Sequence, residues 1–415
     1  MEGYKERTTC RFCSSTLEPL LDLGNIYVND FIEDDGKELL RAPLVLTRCV
    51  SCNLVQLKHT VNLDTSYRQY WYRSSLNDSM VRSLQDIVRG IEERIDLESG
   101  DVVADIGVND GTMFTLYKDR DKLFKVGFDP ALNLASYAKE HCDVFYNDYF
   151  SAKYWWTAKA KVVTAIAMFY DLEDPRTFIK DVKSILHSEG IFVVQLTDLI
   201  SMLKLNALDA ICHEHLEYYS LHNLIDMLGE YELSVFDVSY NKVNGGSIRL
   251  YVCHNGKRPV GERVVAALDE EARYMGQFAD PFAAFVDRVM SRRKDLVGFL
   301  MDANSRGKVT AVMGASTKGN MLLQFYGLDS RTIDHAAEIN HEKYGRRMVG
   351  SNIPIIAESE SLSIAPDYYL ILPWHFKDNF INKNQRYLEG GGSFIVPLPE
   401  PMVIDEHSES LIGGY

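Results

Sequence analysis

Short apolar runs recur along this chain with helical patterns between them, and the series occurs twice. The first series holds residues 101–106, 125–128, 162–166 and 191–196, followed by 233–238 and 247–254. The second holds 308–313, 335–339, 368–372 and 393–396. Runs too short for helices, alternating with helical stretches, imply a parallel sheet with helices on both faces. Between the two series, residues 257–306 read as helical and charged, with an apolar stripe through Phe285, Val289, Leu296 and Leu300. Met80, Val81, Leu84, Ile87, Val88 and Ile91 recur at spacings of three and four, the period of a half-buried helix. Residues 1–60 read as irregular, and the polar tail beyond 403 as frayed. The expected class is α/β, with a small N-terminal module (1–92), a central α/β domain (93–256), a helical connector (257–306) and a second α/β domain (307–415).

The N-terminal module carries Cys10-x2-Cys13 and Cys49-x2-Cys52. Each pair offers two thiolates from one tight turn, and together they complete a closed tetrahedral site for zinc with no position left for a reacting water. A redox pair or two unrelated pairs are the competing readings. The start of the chain has charges but no apolar core behind them, so a cytoplasmic, reducing location is expected. Cys142 and Cys253 read as small buried hydrophobes. With 44 basic and 59 acidic residues the net charge is −15, which argues against a general nucleic-acid or anionic-membrane binder. No apolar run reaches the ~20 residues of a membrane span.

The central domain opens with Asp105-Ile-Gly107-Val-Asn109-Asp110-Gly111-Thr112, placed between a predicted strand and a predicted helix. Glycines there let backbone amides approach a ligand. The order is not G-x-G-x-x-G, which disfavours a nicotinamide cofactor. Asp129 ends the next predicted strand, where a carboxylate can accept both hydroxyls of a ribose. Asn147-Asp148-Tyr149-Phe150 follows, with a polar group and aromatics suited to adenine. This ordered set resembles the S-adenosylmethionine site of class I methyltransferases, with a plain capped turn as the alternative.

Cys212-His213-Glu214-His215-Leu-Glu217-Tyr218-Tyr219-Ser220 falls between the fourth strand and a capped helix, beside the carboxyl ends of the strands where doubly wound sheets bind ligands. Two histidines and a carboxylate there suit proton transfer near neutral pH. A metal site or a helix-capping loop are the rivals. Tyr70-Trp71-Tyr72-Arg73-Ser74-Ser75 is a second cluster, read either as the wall of a sugar or base pocket or as a core patch. Asn244-Gly245-Gly246-Ser247 reads first as a turn, and Pro373-Trp374-His375-Phe376 as packing. Gly314-Ala-Ser316-Thr317-Lys318-Gly319-Asn320 opens a helix and could receive a phosphate, but lacks the order of a P-loop.

Taken in sequence, these features resemble one family over residues 8–400: the sugar C-methyltransferases that act on nucleotide-linked 4-keto-deoxyhexoses. The resemblance implies a zinc-binding N-terminal module, a class I methyltransferase domain of Rossmann-like fold and a Rossmann-like C-terminal domain. It implies S-adenosylmethionine as cofactor, bound through Asp105, Gly107, Asn109, Asp110, Gly111, Thr112, Asp129, Asp148, Tyr149 and Phe150, and structural zinc. It also implies methylation at carbon 3 through an enolate, with His215 as base and Glu214, His213 and Tyr72 around it. Tyr70, Cys212, Asn244, Gly245, Ser247, Lys318 and Asn320 fall to the substrate, a sugar linked to dTDP or GDP, with Lys318 toward its phosphates. Some members have a tyrosine where this chain has Cys212. A monomer or homodimer without nucleic acid or membrane partners is expected. The alternatives are an O- or N-methyltransferase for another small metabolite, or a binder of S-adenosylmethionine or a nucleotide without turnover.

Overall fold

Residues 17–27 and 41–49, expected to be irregular, form the two long strands of an antiparallel sheet. The computed structural model describes residues 3–28, 31–32 and 39–413. Strand β1 (Leu17–Tyr27) pairs with β2 (Arg41–Cys49), which pairs with β3 (Val55–Leu57). Along β2, Ala42, Leu44 and Leu46 are buried at period two, as a half-covered strand requires. The pattern is blurred in β1 because the register slips between Pro19 and Leu21 and again between Asp22 and Asn25, around Gly24 at φ +80°. Bulges move side chains between faces and so break the alternation that reveals a strand. A fourth strand, Glu217–Tyr218, comes from the central domain and pairs antiparallel with β3.

The central sheet has seven strands. They are β4 (Val102–Ile106), β5 (Phe124–Phe128), β6 (Val144–Tyr146), β7 (Ala160–Ile166), β8 (Leu186–Thr197), β9 (Leu233–Asn241) and β10 (Ser247–His254). Their spatial order is β6-β5-β4-β7-β8-β10-β9, parallel through β8 and antiparallel for the last two pairings. The order reverses at β4, so its carboxyl end and that of β7 open a crevice at a topological switch point. The connection from β4 to β5 holds only 3-10 turns, at Thr112–Leu116 and Arg120–Lys122, not the expected helix. Helix α1 (Asp78–Glu92) covers that face instead: its Leu84, Ile87, Val88 and Ile91 share a core with Met113 and Phe114.

Helix α2 (Leu221–Gly229) is closed at its start by a capping box between Ser220 and Asn223. The connector is two helices, α3 (Glu262–Met275) and α4 (Pro281–Ser305), each capped or opened by Gly261 and Asp280. The last domain holds β11 (Thr310–Met313), helix α5 (Thr317–Tyr326), then β12 (Ala336–Glu338), β13 (Ile355–Ala357), β14 (Tyr368–Ile371) and β15 (Ser393–Val396). As far as residue 413, the tail carries strands rather than being frayed. Strands β16 (Met402–Ile404) and β17 (Glu409–Leu411) extend the sheet antiparallel, giving β13-β12-β11-β14-β15-β16-β17. One apolar core runs from Leu21, Leu44 and Leu46 of the N-terminal sheet through Leu203 and Ile211 to Leu322, Leu323 and Ile371. Among the described residues no helix is long and apolar enough to cross a membrane.

Candidate active site and metal centre

The two cysteine pairs sit at opposite ends of the β1–β2 unit, and folding that hairpin brings them together. Cys10 Sγ lies 3.7 Å from Cys52 Sγ and Cys13 Sγ 3.3 Å from Cys49 Sγ, with all four sulfurs within 4.8 Å. Sulfurs about 2.3 Å from a zinc ion form a tetrahedron with edges of about 3.8 Å, so the cluster fits that ion. Each pair forms a knuckle. The Phe12 amide donates to Cys10 Sγ and the Ser51 amide to Cys49 Sγ, both at 3.4 Å, while Ser14 and Asn53 turn the chain with positive φ. Gln56 Nε2 donates to Cys10 Sγ at 3.1 Å, a contact of the kind that orients a ligand from outside the metal's own shell. The four thiolates would hold zinc as a closed structural centre.

The carboxyl ends of β4 and β5 form a cradle. Gly107 and Gly111 have φ of +79° and +80°, and a Cβ on Gly111 would come 2.9 Å from His141 Cβ, so the turn needs glycine there. Asp105 is buried and accepts from Thr164 Oγ1 at 2.6 Å, and burial pushes its carboxyl up to about 7. Asp129 accepts the amides of Asn109 (2.8 Å) and Ala131 (2.9 Å); burial outweighs those bonds and raises it to about 6. Asp110 is spent on structure: its Oδ1 accepts from Thr112 and its Oδ2 from the Ser75 amide at 2.9 Å. Asp148 accepts from the Tyr154 hydroxyl (3.0 Å) and approaches Arg68 (3.4 Å). The Tyr149 hydroxyl donates to Asp64, and Phe150 packs edge-on against Phe128 and Phe178.

A strap of the N-terminal region closes over this cradle. The Ser74 amide donates to Asn109 Oδ1 (3.0 Å), Asn109 Nδ2 to the Tyr72 carbonyl (3.1 Å), and the Tyr70 amide to Asn133 Oδ1 (3.0 Å). The strap sorts its tyrosines. The Tyr72 phenol faces Asp110 and is part of an exposed residue, whereas Tyr67 and Tyr70 face Glu214 and Asp171. Tyr67 also donates to the Glu214 carbonyl at 3.0 Å.

The His213–His215 loop lies where the three parts of the chain meet. His213 Nε2 bonds the Ala42 carbonyl of β2 at 3.1 Å, which ties the loop to the metal module. His215 Nδ1 lies 2.8 Å from the Ala210 carbonyl. A carbonyl can only accept, so Nδ1 carries the hydrogen and Nε2 keeps its lone pair. Its ring packs 4.2 Å from that of Tyr170. Burial, and then the charge of Lys318, hold its pKa down at about 3, so the ring is neutral at pH 7. Burial likewise lowers His213 to about 4. Cys212, His213 and Glu214 line a cleft with Tyr27 of β1 and with Thr317, Asn320 and Gln324 of α5. Lys318 acts electrostatically on Cys212, His215 and Asp171. The 244–247 turn lies to one side, with Ser247 Oγ donating to the Val243 carbonyl and Gly245 against Trp374, whose Nε1 donates to buried Asp209 at 3.0 Å.

Sequence reasoning missed Asp171, Tyr67 and Tyr170. Asp171 follows β7 across a 3-10 turn (Phe169–Asp171), and burial raises its carboxyl well above the usual range, with Glu214 adding to the effect. The one available signal was that a strand adjacent to the glycine-loop strand ends just before it.

Against this geometry, three family models match the chain in register: a putative zinc binding domain over residues 10–67, a methyltransferase domain over 77–238 and a C-methyltransferase C-terminal domain over 242–399. The chain is also 32% identical over 396 residues to C-methyltransferase NovU from Streptomyces niveus, across 93% of this chain and 92% of that one. The chain belongs to the C-methyltransferase family. As a member it is an S-adenosylmethionine-dependent methyltransferase with a zinc-binding N-terminal domain. Among solved structures, the Haloferax volcanii complex of the Trm112 methyltransferase activator and its putative methyltransferase aligns over 43% of this chain and 95% of that one, with 14% identity and a TM-score of 0.35. Magnesium protoporphyrin IX methyltransferase from Synechocystis with bound S-adenosylmethionine aligns over 42% and 79%, with 12% identity and a TM-score of 0.33.

Proposed function

We propose that this C-methyltransferase alkylates carbon 3 of a nucleotide-linked 4-keto-6-deoxyhexose, carried on dTDP or GDP, for branched-chain sugar biosynthesis. The observation that carries the reading is His215: a buried, neutral imidazole whose Nδ1 is committed to the Ala210 carbonyl and whose Nε2 can accept a proton. A C–H bond is a poor acid unless a carbonyl stands next to it, so a base is needed for methylation at carbon and the substrate needs a ketone. S-Adenosylmethionine, when bound, supplies an electrophilic methyl on a sulfonium and leaves as a neutral thioether. The chain's own part is to hold the sugar, take the proton on Nε2 and stabilise the resulting oxyanion. Asp129 would accept the ribose hydroxyls of the cofactor, with the strap over Asn109 and Asp110 closing the site. Glu214 and the Tyr67 and Tyr70 hydroxyls supply the polar wall on the sugar side. The work is done beside the cytosolic nucleotide-sugar pool, by a monomer or a homodimer.

The test is incubation of nucleotide-linked 4-keto-6-deoxysugars in D2O, followed by addition of S-adenosylmethionine and mass and NMR analysis. Deuterium at carbon 3 and a new methyl on that carbon are expected. His215→Asn should lower turnover by about 10²–10⁴-fold with cofactor affinity kept. A methyl on oxygen, nitrogen or carbon 5, or wild-type turnover by the variant, would overturn the corresponding part of the reading.

A further inference from the structure

Lys318 was read from the sequence as a phosphate contact, and its surroundings point elsewhere. It is the second residue of α5, whose N-cap Ser316 accepts from the Gly319 amide at 3.0 Å. Gly319 lies so close to the end of β14 that a Cβ there would meet Leu372 Cβ at 2.5 Å. The helix start is therefore pinned, and its side chains are aimed by the backbone rather than by long flexible loops. Thr317 and Asn320, on either side of Lys318, line the same cleft as His213 and Glu214, the two residues before His215.

The ammonium itself is unusual. Nζ is buried and has no hydrogen-bond partner among the described residues. Its charge acts on His215, Cys212, Asp171, Asp209 and His375, which come from the base loop, the end of β7, the 3-10 turn Leu208–Ala210 and the turn after β14. Asp209 Oδ2 is taken by Trp374, and one oxygen each of Asp171 and Asp209 is likewise buried and unpartnered. A buried ammonium without a contact partner is costly for folding alone, but it is what a site built to meet developing negative charge requires.

A nucleotide-linked ketosugar offers two anions: its diphosphate and the oxygen that becomes an enolate. A diphosphate beside Asp171 and Asp209 would face two carboxyl groups in a low-dielectric setting. The carbonyl oxygen is neutral on binding and becomes charged only as the proton leaves. It also sits one atom from the carbon whose proton His215 would take, so base and oxyanion partner must serve one cleft; Thr317 and Asn320 beside Lys318 share a cleft with His213 and Glu214 beside His215. Resting on the proposed function, we infer that Lys318 Nζ holds the C4 oxygen of the substrate and carries the charge that develops there. In that step the C3–H pair becomes the C3–C4 double bond, the carbonyl π pair moves to oxygen, and the proton goes to His215 Nε2. Cys212, in the same cleft, is a neutral and weak donor because burial pushes its thiol up, so the ammonium is the stronger donor there.

The experiment compares wild type, Lys318→Met and Lys318→Arg for deuterium uptake at carbon 3 in D2O without cofactor, and for calorimetric affinity toward free dTDP and GDP. Lys318→Met should lose about 10²–10³-fold in exchange. It should keep nucleotide affinity within about twofold, and its melting temperature should be unchanged or higher because a buried unpaired charge has been removed. Lys318→Arg keeps the charge and should recover part of the exchange. If Lys318→Met exchanges at near wild-type rate, or if it instead loses tenfold or more in nucleotide affinity and regains exchange at saturating substrate, the assignment is wrong and the residue is spectator or phosphate anchor. If wild type exchanges no ketosugar, the proposed function falls first, which a wild-type control reads directly.

Discussion

Replacing Arg11 with methionine should loosen the metal module and the base loop together, leaving the cofactor loop intact. Arg11 lies between two zinc ligands, and its side chain has no solvent exposure. Its Nη1 donates to the Leu57 carbonyl (2.6 Å), its Nη2 to Thr60 Oγ1 (2.7 Å) and its Nε to Glu173 Oε2 (3.2 Å). Nε is also 3.6 Å from Glu217, whose two carboxyl oxygens are buried without hydrogen bonds. Losing a charged donor from the buried Leu57 carbonyl costs about 1–2 kcal/mol. The Glu173 and Thr60 contacts add about 1 kcal/mol, reduced because Glu173 is partly solvated and keeps Arg7 and Thr60. The full penalty of an uncompensated buried charge is reduced, because burial shifts the Glu217 pKa well upward, toward its neutral form. The total is about 2–3 kcal/mol, or about 30–150-fold faster local opening.

Hydrogen–deuterium exchange of the zinc-loaded protein reads this directly. Peptides from residues 8–60 should lose protection. So should those covering 213–219, because Glu217–Tyr218 is a strand of the same sheet. Peptides over 102–112 should not. Arg11→Met with Glu217→Leu should recover part of the loss, since a matched apolar pair then replaces a buried guanidinium and a buried carboxyl without hydrogen bonds. Protection of the 8–60 peptides within threefold of wild type in Arg11→Met would refute the ledger. Equal loss in the cofactor loop would refute the claim that module and base loop form one unit.

Cofactor affinity should fall by up to tenfold per pH unit as pH drops below 6, because Asp129 is ionised only above about 6; the slope should vanish in Asp129→Asn, as measured by calorimetry. Cys10→Ser should lower bound zinc and the first melting transition by metal analysis and calorimetry, since a ligand to the four-sulfur centre is lost. Tyr70→Phe should reduce turnover by tenfold or more and Tyr72→Phe by less than threefold, because only the Tyr70 hydroxyl faces Glu214 and Asp171; the reverse order in steady-state assays would contradict the strap geometry.

Features encoded in contiguous residues were readable in the sequence, and features that depend on distant segments were not. Both α/β units could be read because a parallel strand buried on both faces is a nearly unbroken apolar run. The zinc ligands and the cofactor loop are short motifs whose spacing carries the chemistry. The N-terminal sheet was missed because its bulges at residues 19–25 disrupt the alternation. The roles of the tyrosines could not be read because they are set by the strap. Tyr67 and Tyr72 are five positions apart, yet backbone bonds to Asn109 and Asn133 turn one toward the base loop and the other toward Asp110. Asp171 was silent for a similar reason: an aspartate after a strand is ordinary, and only the arrival of Tyr67, Glu214 and Lys318 from three other segments makes its burial chemically notable. The strand Glu217–Tyr218 shows why these arrivals matter. It belongs by sequence to the loop of His213 and His215 and by pairing to the zinc-bearing sheet. The zinc centre would therefore help to set where His215, the proposed base, stands: Cys10 is held by Gln56, Gln56 is opposite Glu217 in the ladder, and Glu217 is two residues from His215.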